Sequence, residues 1–267
     1  MGNLVIDANG NLFGAAYYGG AHGRGTIYEL SPSSSGWTFN VIFFLQSAVS
    51  GSFPTALTGD SAGNLYSTTY AGGSGGYGNG TVFRLSPSGS TWTFTKLFQF
   101  YGPGGATPGN SLTLDASGNI YGTTTQGGKN ASVCGGGCGL TYMLTPTASG
   151  PWAEHILHAF TGGDDGFNPS QGVVLDSAGN VYGAANLGGS TSCGGGCGTV
   201  YELSPVSGGW KFSRLFGFTS SSGTQPNGVT VDAQGNVYGT TQGGPMATNC
   251  IYSYGCGTVF EVSPPPR

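Results

Sequence analysis

The residues of this chain with most chemical potential are six cysteines, which fall into three closely spaced pairs: Cys134 with Cys138, Cys193 with Cys197, and Cys250 with Cys256. The first two pairs share the sequence "CGGGC". Thiols so placed could hold a metal, carry out thiol exchange or close a loop. A zinc site needs four ligands, usually one short-spaced Cys pair joined to a second pair or to His, and each stretch offers two thiols with no neighbouring His. A redox site of C-x-x-C type differs in both spacing and context. Acid and base groups are few. Histidine occurs only at His22, His155 and His158, and strand alternation would put Glu154 and His158 of "WAEHILHAF" on one face, the best acid/base pair by residue type. Asp164 and Asp165 in "TGGDDGFNPSQG" are adjacent carboxylates, but glycoside hydrolysis needs two acids held across one bond, a geometry that adjacency does not supply. Five further aspartates recur in D-x-x-G-N, which lacks the alternating oxygen side chains of a calcium loop and is explained by turn formation. Neither a metal nor a cofactor is expected.

The elements that must position these groups are set by an internal repeat. "IDANGNLFG" recurs as "GDSAGNLYS", "LDASGNIYG", "LDSAGNVYG" and "VDAQGNVYG", anchored at Asp7, Asp60, Asp115, Asp176 and Asp232, with spacings of 53, 55, 61 and 56 residues. Each copy continues through "GG" and a variable Gly-rich loop into a segment such as "GTVYELSP", and the first four add an aromatic segment such as "WKFSRLFGF". Aromatic and β-branched residues dominate the segments, and Gly, Asn, Ser and Pro punctuate their ends, so each reads as a short strand. Four short antiparallel strands per unit of fifty-odd residues form the pattern of a propeller blade; a linear β-solenoid is the second architecture, with coils usually shorter than this period. The expected fold is therefore all-β: a five-bladed β-propeller with four-stranded antiparallel blades, the last missing its outer strand. It is read as one domain over residues 1–267, with repeats of about 1–53, 54–107, 108–168, 169–225 and 226–267. Nineteen strands are expected, with the edge around Thr258 to Val262 open to another chain.

Composition limits the partners. Charged residues make up 7% of the chain and the net charge is −4, so seven Lys plus Arg offer no basic patch for a phosphate backbone and nucleic acid is excluded as a partner. No apolar run approaches the length of a membrane span, and "MGNLVIDANG" has neither the basic nor the apolar region of a signal peptide. Gly at 54 of 267 positions would suit disorder, but 12% aromatic residues supply apolar surface that disordered chains lack.

The run from a Pro through "DSAGNVYG" to "GTVYELSP" and an aromatic strand resembles the bacterial GloVer-type tandem repeat, and more distantly NHL-type propeller repeats. The resemblance covers essentially the whole chain. It implies a secreted or cell-surface bacterial protein and transfers no catalytic residue, because fold alone does not define function. In such a setting three even pairs separated by Gly favour intraloop disulfides over metal, each closing a small loop in units three, four and five. The functional expectation is a noncatalytic binding module for a glycan or other small polar ligand, with the loops that follow the second and fourth strands as its surface. The candidate contacts are Tyr18, His22, Arg24, Tyr77, Lys129, Asn130, Asp164, Asp165, Tyr252 and Tyr254. A self-assembling subunit joined through the open edge, and a glycan-active enzyme with a central pocket, are the alternatives.

Overall fold

A computed structural model describes residues 3–73, 79–148, 150–245 and 255–263. They form five antiparallel sheets, one per repeat. The first contains β1 (Val5–Ile6), β2 (Leu12–Ala16), β3 (Thr26–Ser33) and β4 (Gly36–Phe44), in that order. The second contains β5 (Ser52–Pro54), β6 (Thr58–Gly59), β7 (Leu65–Ala71), β8 (Thr81–Ser88) and β9 (Thr91–Gln99). The third contains β10 (Ala106–Pro108), β11 (Thr113–Leu114), β12 (Ile120–Gln126), β13 (Leu140–Thr145) and β14 (Ala153–Ala159). The fourth contains β15 (Val174–Leu175), β16 (Val181–Ala185), β17 (Thr199–Val206) and β18 (Gly209–Gly217), and the fifth β19 (Thr224–Val231), β20 (Val237–Gly243) and β21 (Thr258–Val262). This is the five-bladed β-propeller expected from the repeat, with three strands in the last blade. By packing, the chain divides into two compact units: Met1–Gly102 with Ala106–Ile120 and Leu144–Glu154, and Pro103–Gly105 with Tyr121–Met143 and His155–Arg267.

The first strand of repeats two and three departs from the sequence expectation of one continuous segment. In repeat two it is split into β5 and β6, both paired with β7, and in repeat three into β10 and β11, both paired with β12. The backbone explains the break in repeat two. After Pro54, the Ala56 N–H leaves the ladder and donates to the Asn110 carbonyl at 2.9 Å. Ahead of each such proline stands a non-glycine residue in the left-handed region: Phe53 (φ 63°), Thr107 (φ 49°), Asn168 (φ 58°) and Gln225 (φ 56°). That conformation costs L-residues about 1–2 kcal/mol, so something must hold it. The holder is the preceding repeat. The four N–H groups donate to the carbonyls of Arg24, Asn79, Cys138 and Cys197 at 2.8, 2.9, 3.0 and 2.9 Å. The next residue is in each case a positive-φ glycine (Gly25, Gly80, Gly139, Gly198), where a Cβ would lie 2.4, 2.6, 2.8 and 2.4 Å from the Cδ of Pro54, Pro108, Pro169 and Pro226. Glycine and proline thus interlock successive repeats at a separation that admits no side chain.

Each recurring aspartate closes the turn between the first two strands. In repeat four, Asp176 Oδ1 accepts the N–H groups of Ala178 and Asn180 at 2.9 Å each, while Oδ2 accepts Asn180 Nδ2 at 2.7 Å and the Tyr182 hydroxyl at 3.0 Å. The same backbone and Asn bonds recur at Asp7, Asp60, Asp115 and Asp232. The carboxylates are used by the turn, as the D-x-x-G-N pattern predicts. Between sheets, aromatic side chains stack: Phe43 lies on Phe94 with centroids 4.9 Å apart and His158 on Phe212 at 4.1 Å. His158 occupies the repeat position of Phe43, and its ring serves there as a core aromatic.

Substituting Gly198→Ala is expected to cost about 3 kcal/mol or more, since the new Cβ meets both Pro226 and the Ala185 carbonyl at φ +96°. Gly179→Ala, at φ +81° in a turn with nothing within 4 Å, is expected to cost about 1 kcal/mol. Chemical denaturation of the two variants checks this; equal losses would show that the interlock adds nothing to turn strain.

Candidate functional site

Among the described residues, two loop clusters stand out, one in each unit. In the first unit, Tyr17 and Tyr18 follow β2, Arg24 precedes β3, Phe53 lies in β5 and Tyr70 in β7. Tyr17 stacks on Phe53 with centroids 5.0 Å apart and an interplanar angle of 15°. Tyr18 meets Tyr17 edge-on at 4.7 Å and Phe53 at 5.6 Å, Tyr70 lies 6.4 Å from Tyr17, and the Arg24 guanidinium sits 5.9 Å over the Phe53 ring. Despite these contacts the platform is open: Tyr18 is 72% exposed, Tyr70 45% and Tyr17 38%. Partial burial, with Tyr18 and Tyr70 nearby, raises the Tyr17 phenol above its ordinary value and keeps it a neutral hydrogen-bonding group. The left-handed backbone at Phe53, imposed by the interlock, belongs to the residue whose ring supports Tyr17.

In the second unit, a cleft of about 680 Å³ is walled by the cysteine loops and the connection after β14; its lining includes Val133, Asp164, Phe167, Ser190, Thr191 and Cys193. Disulfides join Cys134 to Cys138 and Cys193 to Cys197, as the spacing and family resemblance suggested. Cys256 is disulfide-bonded as well, while Cys250 lies outside the described residues. A single helical turn, α1 (Ala131–Cys134), carries the first bridge. Asn130, left-handed at φ 58°, starts this turn and donates its side-chain amide to the Thr161 carbonyl at 3.0 Å, tying loop to connection. The Lys129 carbonyl accepts the Cys138 N–H at 3.3 Å.

The two acids of this connection have different environments. Asp165 accepts His158 Nε2 at 3.0 Å and the Thr161 N–H at 2.9 Å, and its other oxygen accepts the Thr161 hydroxyl. Burial would raise this carboxyl, but the bonds from His158 and Thr161 outweigh burial and hold it below the usual range. Asp164 projects outward with its side chain 96% exposed, 3.6 Å from Arg214 Nη1. His158 therefore pairs with Asp165, and the Glu154–His158 acid/base pair suggested by the sequence does not form. One oxygen of Glu154 is buried without a hydrogen-bond partner, and burial pushes its carboxyl up to about 7.

Of the other residues singled out from sequence, Tyr18 and Arg24 join the aromatic platform, and His22 is exposed in the same loop. Tyr77, Tyr252 and Tyr254 lie outside the described residues. Sequence reasoning missed Tyr17, Phe53 and Tyr70, although a signal was present. Tyr17 and Tyr70 fill the position held by Thr125, Asn186 and Gln242 in the later repeats, and Phe53 is aromatic where Thr107, Asn168 and Gln225 are polar. It is the departures from the repeat that gather into the platform.

Residues 1–149 match the Gloeobacter/Verrucomicrobia repeat, and the chain belongs to that family. No curated protein matches the chain. Among solved structures, it is similar to the extracellular domain of BT4673 from B. thetaiotaomicron, with 15% identity over 96% of this chain and 30% of that one and a TM-score of 0.55. A gluconolactonase from Xanthomonas campestris is similar at 14% identity over 88% of this chain and 67% of that one, with a TM-score of 0.53. PorZ, a surface component of the type-IX secretion system of Porphyromonas gingivalis, is similar at 17% identity over 91% and 31%, with a TM-score of 0.50. The chain thus spans about a third of the BT4673 domain and of PorZ, and at these identities the likeness establishes the fold.

Glu154 yields a pH prediction of definite sign. Because its carboxyl is raised from 4.5 to about 7, the folded state holds a proton that the unfolded chain releases, so stability falls as pH rises from about 4.5 to 7. Glu154→Gln removes the charge and is expected to melt about 2–4 °C above wild type at pH 8, after allowance for partial exposure, with the gain vanishing near pH 4.5. Thermal melts across this range test it; a pH-independent difference would show that the carboxyl titrates normally.

Proposed function

We propose that this protein is an extracellular, noncatalytic binding module that takes neutral glycans on its tyrosine platform. The observation that carries the reading is the convergence of Tyr18, Tyr70 and Phe53 on Tyr17, three exposed phenols with Tyr17 stacked on Phe53. Such a surface suits a sugar ring, whose C–H face packs on an aromatic plane while its hydroxyls bond at the rim. Phenols offer both elements at low conformational cost. Low overall charge agrees with a neutral ligand. Intraloop disulfides suit an oxidising compartment, and the propellers of BT4673 and PorZ, respectively an extracellular domain and a surface component, support the location by analogy. A glycan array with the purified chain is expected to show binding that a Tyr17→Ala/Tyr18→Ala variant loses by tenfold or more, with an unchanged melting temperature. No binding to any glycan would overturn the reading, and turnover of a bound sugar would replace the noncatalytic part of it.

A second reading, self-association, is favoured by one observation at β21. Ile27, Val82 and Val200 occupy the second position of the equivalent strands and are fully buried, whereas Val259 at that position is 83% exposed. Among the described residues β20 is the partner strand of β21, and an open strand edge with an apolar residue on it is a template for a second copy. Light scattering is expected to give a dimer that Val259→Lys converts to monomer; a monomeric wild type at 100 μM would remove this reading.

A further inference from the structure

The cleft in the second unit is too specifically built to be a by-product of loop packing. Its two sides are fastened to each other as well as individually braced. Arg214 Nη1 donates to the Asp164 carbonyl at 3.1 Å and the Gly189 carbonyl at 3.3 Å, so one guanidinium bridges the connection after β14 and the loop after β16. The Gly189 N–H donates in turn to the Gly163 carbonyl at 2.9 Å. Behind the walls, a Cβ at Gly162 would lie 2.9 Å from the Cys134 sulfur and 3.1 Å from that of Cys138, so the first disulfide packs directly against the connection.

Most glycines of these loops have an internal reason to be glycine. Gly188, Gly189 and Gly196 have positive φ and leave no room for a Cβ. Gly163 is different. It lines the cleft, its φ lies outside the left-handed region, and a Cβ there would make only an ordinary 3.6 Å contact with Thr161 Oγ1. Neither backbone conformation nor packing requires glycine at 163; what its absent side chain leaves open is the cleft. Glycine without a conformational cause is the residue expected where a ligand approaches the backbone closely.

The lining defines the chemistry of that ligand. Val133, Phe167 and Cys193 form apolar surface, Ser190 and Thr191 contribute hydroxyls, and Asp164 offers an outward carboxylate that takes donors in pairs. Asp164 and Arg214 offset each other in charge, so the cleft favours neither a cation nor an anion. The volume falls within the roughly 300–1,000 Å³ of small-molecule sites. A ligand with one apolar face and a row of vicinal hydroxyls fits this lining. We propose that the cleft is a second, independent glycan site, sized for one or two pyranose rings, with Asp164 accepting from vicinal hydroxyls and Gly163 keeping the entrance open. The ligand class rests on the reading given under Proposed function; the site does not depend on the platform.

The test uses saturation-transfer NMR with a panel of neutral disaccharides: maltose, cellobiose, lactose and N,N′-diacetylchitobiose. It compares wild type, Tyr17→Ala/Tyr18→Ala, Gly163→Val, and the triple variant, each confirmed by its melting temperature. Both sites operating predicts residual signal in the tyrosine double variant, at least tenfold weaker signal in the triple variant, and melting of Gly163→Val within about 2 °C of wild type. Asp164→Asn, which keeps the shape, is expected to weaken the residual signal several-fold and guards against a folding effect of Gly163→Val. Loss of all signal in the tyrosine double variant would overturn the cleft and leave the platform standing. Full signal there with loss in Gly163→Val would do the reverse, and absence of signal from wild type with every disaccharide would overturn both.

Discussion

Everything in this propeller depends on a contact with no room in it: the approach of a glycine in one repeat to a proline in the next. At Gly25, Gly80, Gly139 and Gly198 the chain turns at positive φ against Pro54, Pro108, Pro169 and Pro226, and the residue ahead of each proline is held in the left-handed region by a hydrogen bond to the preceding repeat. Proline fixes its own φ and removes its own donor, so it adds rigidity without leaving a polar group unsatisfied. The local strain is thereby tied to the assembly of neighbouring repeats. Each half of the contact meets the other across the boundary between repeats, which links repeat packing to backbone conformation.

With the framework fixed in this way, polar side chains inside the repeat can be devoted to local closure. The turn aspartates show the pattern. Each carboxylate accepts bonds from its own turn, and Tyr66, Tyr182 and Tyr238 each add a further bond from the hydroxyl. Ionised Asp7, Asp60, Asp176 and Asp232 stabilise the fold above the carboxylate range, because their carboxyls are lowered by the turn's hydrogen bonds despite the opposing effect of partial burial at Asp60 and Asp176. Glu154 has the opposite sign, being raised by burial with nothing to compensate it. One carboxylate thus destabilises the neutral-pH state, whereas part-buried Asp165 is held by bonds from His158 and Thr161.

The strands and turns were legible in sequence because the repeat presents the same physical problem five times. A segment such as "GTVYELSP" alternates too consistently, and "DSAGN" is too complete a turn, to admit a helix. The disulfide loops were legible for a related reason, since thiols four residues apart around three glycines were close partners and the family resemblance implied an extracellular setting that favours their pairing. The split of β5 from β6 was not, because it depends on Ala56 bonding a carbonyl more than fifty residues away. The pairing of His158 was also hidden. Strand alternation relates it to Glu154, but the connection after β14 folds back and brings Asp165 to its ring. The tyrosine platform lay between these cases: its residues were visible as exceptions to the repeat, but their meeting point was set by a left-handed backbone that no local pattern announces.

That left-handed residue gives the scaffold an unusual freedom. Phe53, Thr107, Asn168 and Gln225 share one backbone geometry while differing in size, polarity and aromaticity. The main chain at this position is determined by its N–H and by the proline that follows, so the side chain carries little of the architecture. Each of blades two to five therefore contains a socket whose wiring is standard and whose fitting can be exchanged. A protein of this kind could acquire a new specificity one blade at a time, by single substitutions at sites the framework has already made tolerant.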